Sequence, residues 1–234
     1  MAMPFVAGGD PDATPVERAR YLLLHRHLDG CLDSACQLLA QFRAAEPTGE
    51  QGLALWIQVN LALGDIAQGR SAKLACLERA LAAADTLRRL NGLNAEGHLW
   101  WAVARGLAGQ QYGMLNSLWM LPSVRRELKR ALELDTNCLP AHTGLGVLYW
   151  QVPRFLGGNR DTSRYYFETG LGRFPNATDT RLWLAKLDIA EGKRNEARCQ
   201  LNILLATEDP LDPAGFFLSD QPEAQRLLRR LGPR

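Results

Sequence analysis

Arg125–Pro175 reads RRELKRALELDTNCLPAHTGLGVLYWQVPRFLGGNRDTSRYYFETGLGRFP, and the spacing within it decides the fold. Leu145, Gly146 and Tyr149 set a large, a small and a large residue on one helix. Ser163, Phe167 and Gly170 set a small, a large and a small residue on the next. Small residues let two helices approach closely, and large ones fill the space between neighbouring pairs. Pro153 ends the first helix, Gly157-Gly158 turns the chain, Asn159 or Asp161 caps the second helix, and Pro175 closes the unit.

The same helix pair recurs along the chain at a period near 34 residues, the tetratricopeptide (TPR) period. The copies span about 16–49, 50–92, 95–138, 139–177 and 178–211. In the first, Leu22, Leu23 and Arg26 fall on helix A, and Ala35, Leu39 and Phe42 fall on helix B, which Pro47 ends. The third carries Trp100, Trp101, Ala102 and Arg105, then Val124, Leu128 and Ala131. The stretch Leu107–Pro122 between them reads as an apolar loop inserted between helices. The fifth has Ala185, the turn Glu191-Gly192-Lys193, then Ala197, Leu201 and Leu204, with Asp209-Pro210 at its close. Residues 219–234 read as a capping element: Asp220 as N-cap, Glu223 three later, a helix over Gln221–Leu231, and Gly232-Pro233 as the stop. Residues 1–15 read as a flexible leader before the repeats at 16–218. The expected fold is all-α, a right-handed α-α solenoid of TPR-like helix pairs with a C-terminal capping helix.

The net charge of +2 argues against a general nucleic-acid binder, which carries a strong basic patch. The Arg125, Arg126, Lys129, Arg130 run reads as a solvated helix face. Glu127, Glu133, Asp179 and Asp188 likewise read as exposed helix charges. The cysteines, at 31, 36, 76, 138 and 199, form no CxxC pair and read as small core residues. No apolar run is long enough for a transmembrane helix. The first residues do not form a recognisable signal peptide, so the compartment is cytoplasmic by default, and periplasmic if a signal peptide has been removed. No HExxH, GxSxG, Walker or dinucleotide motif occurs. His25, His27, His98 and His142 read as structural, and neither a metal site, a cofactor nor an enzymatic activity is expected.

In such a solenoid the A helices line the concave surface. The repeat register turns Leu99, Val103, Thr143, Val147, Trp150, Gln151, Leu182 and Lys186 toward that groove, with Arg20 and His27 at its N-terminal end. The surface is apolar with a few polar ends, suited to a peptide, a partner helix or an elongated apolar ligand. The expected function is a non-catalytic scaffold for a peptide or partner protein. Self-association is compatible with it through the apolar Trp119-Met120-Leu121-Pro122 stretch.

The Arg125–Pro175 segment also resembles divergent TPR proteins related to the TatT component of bacterial TRAP transporters. It is similar as well to the repeat region of the regulator-of-microtubule-dynamics proteins. Ala131-Leu132, Leu134-Asp135, Gly146, Tyr149, Pro153 and Gly157-Gly158 carry the resemblance, which covers about residues 95–230. It implies a helical repeat fold and, as an alternative function, a periplasmic transporter accessory handling a small apolar ligand.

Overall fold

In a computed structural model, which describes residues 13–232 apart from the side chains of residues 114–117, the chain is built from helices without a β-strand among the described residues. Ten helices follow one another: α1 (Pro15–Leu24), α2 (Cys31–Ala45), α3 (Glu50–Ile66), α4 (Arg70–Leu90), α5 (Ala95–Tyr112), α6 (Met114–Leu134), α7 (Leu139–Gln151), α8 (Arg160–Arg173), α9 (Thr178–Ala190) and α10 (Arg194–Leu205). A short turn, α11 (Pro213–Gly215), and a π-helical segment over Phe216–Asp220 lead into α12 (Gln221–Leu231). Most of the expected leader lies outside the described residues. Its end is structured: Thr14 caps α1 in a reciprocal box with Glu17, and Pro15 occupies the first helical turn.

Each helix packs on the next, and the core is a row of clusters rather than one centre. Leu22, Leu39 and Leu55 join α1, α2 and α3. Leu53, Leu87 and Ala104 join α3, α4 and α5. Leu99, Leu128 and Leu145 join α5, α6 and α7. Phe167 and Leu187 join α8 to α9, and Leu182, Leu201 and Leu227 join α9, α10 and α12. A core distributed in this way is the physical signature of a solenoid, where each unit contacts mainly its neighbours.

The helix ends follow local chemistry. Pro153 stops α7 just beyond Gln151, and Asn159 Oδ1 accepts the Thr162 N–H at 2.9 Å to start α8. Gly30 and Gly192 take positive φ in the α1–α2 and α9–α10 turns. Gly146 is forced by packing instead: a Cβ there would lie 2.3 Å from the Phe167 ring, and Ser163 Oγ donates to the Gly146 carbonyl at 2.7 Å.

Several expectations need correction. Leu107–Pro122 is not a loop: α5 and α6 are both long, meet at Gly113, and α6 continues past Pro122. Met120 and Leu121 pack on the α5–α7 core, an apolar contact that offsets the hydrogen bond lost at the proline. Arg26 lies beyond the end of α1, where its guanidinium donates to the Leu23 carbonyl. Asp220 is no N-cap, because its backbone is already helical and its side chain accepts from Thr178 Oγ1 at 2.7 Å. Cys199 is exposed rather than in the core. Glu127 and Asp188 are buried ion-pair centres, not surface charges. Glu127 gathers Arg88, Arg126 and His98, whose Nδ1 lies 2.6 Å away.

Candidate functional site

The A helices α1, α3, α5, α7 and α9, together with α6, enclose a cavity of ≈ 1120 Å³. Val103, Leu107, Met120, Val124, Val147 and Leu148 give it an apolar wall, and the Leu211–Asp220 segment closes one side. The two ends of the solenoid meet there. Arg26, after α1, donates through both terminal nitrogens to Asp212 at 2.8 and 2.7 Å. The His27 ring packs on Phe217 with centroids 5.1 Å apart. Burial lowers the His27 pKa, with the neighbouring His25 and Arg26 charges acting in the same direction and the Asp212 charge opposing them.

The eight groove residues divide evenly. Val103, Thr143, Val147 and Gln151 line the cavity. Leu99 and Leu182 are buried instead in the cores that join α5, α6 and α7 and that join α9, α10 and α12. Trp150 meets Trp183 edge-on, centroids 5.7 Å apart. Lys186 lies over the Trp183 ring and reaches Glu223 at 3.6 Å. Phe155, which lines the cavity, is 86% exposed.

The cavity also holds a carboxylate group that the repeat pattern does not announce. Its charged lining is Asp65, Asp179, Asp212 and Asp220 against the single guanidinium of Arg26. Asp179, in the first turn of α9, is exposed on the cavity wall. The protein around it nonetheless desolvates its carboxyl and raises the pKa, while the Thr180 amide and hydroxyl pull it back. Thr180 Oγ1 donates to Asp179 Oδ1 at 3.2 Å, and the Thr143 hydroxyl stands 2.6 Å from that of Thr180. The Thr143 hydroxyl also reaches the Leu139 carbonyl at 3.2 Å, and a hydroxyl has only one proton to donate. Burial also raises Asp65. Asp220, 6% exposed, is pushed up to about 6, first by burial and then by the Asp179 and Asp212 charges, against the hydrogen bond from Thr178.

That shift has a sign. The unfolded Asp220 titrates near 3.8 and the folded one near 6, so between those values the folded chain holds the extra proton. Stability from this group is full below pH 3.8 and is lost as pH rises through about 6. Asp220→Asn is therefore expected to raise stability at pH 7.5 by about 1–2 kcal/mol, the lost charge penalty less the weaker hydrogen bond from Thr178. Thermal melts at pH 7.5 and pH 4 check this: the gain should be present at the first and absent at the second.

Comparison with known structures bears on the fold. TTC0263, a thermophilic TPR protein of Thermus thermophilus, superposes with a TM-score of 0.69 over 92% of this chain and 99% of that one, at 20% identity. MamA aligns over 76% of this chain and 90% of its own at 18% identity and a TM-score of 0.48. YrrB, described as a TPR protein with an unusual peptide-binding site, aligns over 92% and 100% at 11% identity and a TM-score of 0.48. No family model and no curated protein matches the sequence. The likeness to TTC0263 defines the class by fold: this chain is an all-α, TPR-like solenoid.

Proposed function

We propose that the chain is a non-catalytic scaffold that takes a peptide segment of a partner protein into the cavity on its concave face. The observation that carries this reading is the size and lining of that cavity. At ≈ 1120 Å³ it exceeds the ~300–1,000 Å³ of ordinary small-molecule sites. Five successive A helices contribute to its wall, so an elongated occupant would touch several repeats at once. The transporter-accessory alternative would put a small apolar ligand in the same space. Both the volume and the row of carboxylates favour the peptide.

Gly106 offers a direct test. It lines the cavity, and a Cβ there meets only the Val124 side chain, at 4.0 Å. Gly106→Trp should fill the space while leaving α5 intact, since glycine is the weaker helix former. A labelled helical peptide of leucine and glutamine, titrated by fluorescence anisotropy, is expected to bind the wild type and to lose affinity ~10-fold or more with Gly106→Trp. Equal affinity for both proteins would place the peptide elsewhere on the surface and remove the cavity from the account.

A further inference from the structure

We infer that the cavity selects a cationic amphipathic segment, one that presents apolar side chains to α5–α7 and a lysine or arginine to the carboxylates at the closed end. This rests on the peptide reading above and adds the partner's chemistry to it. The chain as a whole carries a net charge of +2, yet four of the five charged residues lining the cavity are aspartates. Arg26 is already committed to Asp212 by two hydrogen bonds. Lys186, the cation nearest Asp220 from α9, bridges to Glu223 instead. Among the described residues Asp179 and Asp220 receive only threonine and backbone donors and no ion pair. Like charges held together in a partly desolvated wall repel one another, and a cation from outside relieves that repulsion.

The arrangement also separates selectivity from folding. Asp220 costs stability at neutral pH, so neutralising it should strengthen the fold while weakening recognition. Loss of binding in such a variant is then not a loss of structure.

Three versions of the leucine peptide, carrying lysine, glutamine or glutamate at the same polar positions, test the inference by anisotropy against the full chain. The lysine peptide is expected to bind about 10-fold tighter than the glutamine one and the glutamate peptide correspondingly weaker, with the lysine preference shrinking as salt rises. In Asp179→Asn/Asp220→Asn the preference should collapse while the melting temperature holds or rises. Equal binding of all three peptides would overturn the inference and leave the cavity reading standing. A lysine preference undiminished in the double variant would overturn it too, since the selecting charge would then lie elsewhere. Failure of all three to bind would overturn both readings.

Discussion

Arg164→Ala is expected to lower stability by about 3–5 kcal/mol. Arg164 on α8 reaches Asp188 on α9 at 2.5 Å and Glu191 in the following turn at 2.8 Å. Asp188 is 1% exposed. Burial is the largest influence on its carboxyl and raises the pKa, and Arg164 pulls it back. Without the guanidinium the carboxylate is left buried and uncompensated, or it must take up a proton. The deficit should therefore shrink at low pH, where protonation removes the charge, and Asp188→Asn in the same background should recover part of it. Urea unfolding of the single and double variants at pH 7.5 and pH 5 measures both effects. A loss below about 1 kcal/mol would mean the pair behaves as a solvated surface bridge.

Gly146→Leu is expected to cost about 3 kcal/mol, the upper end of ordinary overpacking. Three Phe167 ring atoms lie within 2.9 Å of the Cβ position, and Phe167 is fully buried, so the ring has no open side to move into. Phe167→Leu should partly rescue Gly146→Leu, because the smaller side chain vacates the contested space. Thermal melts of the two single variants and the pair decide it. A Gly146→Leu protein that melts like wild type would contradict the assigned contact between α7 and α8.

These two sites also mark how far the sequence reads. The Gly146–Phe167 contact is legible because it is local: two helices, a fixed spacing, and a small residue opposite a large one. Helix ends are equally legible wherever Pro153, Gly192 or Asn159 acts within a few residues. Leu107–Pro122 misleads because its glycines and proline are breakers by propensity, whereas packing of Met120 and Leu121 keeps the segment helical. Register gives the face of each A helix but not the depth. Val103 and Val147 therefore reach the cavity, while Leu99 and Leu182 stop in the core.

The carboxylates lie beyond the repeat pattern altogether. Asp65 on α3, Asp179 on α9 and the Asp212 and Asp220 pair of the closing segment line one cavity because Arg26 and Asp212, far apart in sequence, join the two ends of the solenoid. No periodicity encodes that closure. Asp220, an acid at an expected helix start, reads as an N-cap rather than as part of a cavity wall. The Arg164–Asp188 pair is hidden for a similar reason: a lone Asp on a helix looks solvated until its neighbours are placed around it.

The measurement that tests the central claim most directly is photo-crosslinking of the leucine–lysine peptide, bearing a benzophenone, to the full chain, with the attachment sites mapped by mass spectrometry. Crosslinks at cavity residues such as Val103, Val147 and Gln151, absent from Gly106→Trp, are the predicted result. Crosslinks confined to the outer B helices α2, α4, α8 and α10, and unchanged by Gly106→Trp, would contradict it.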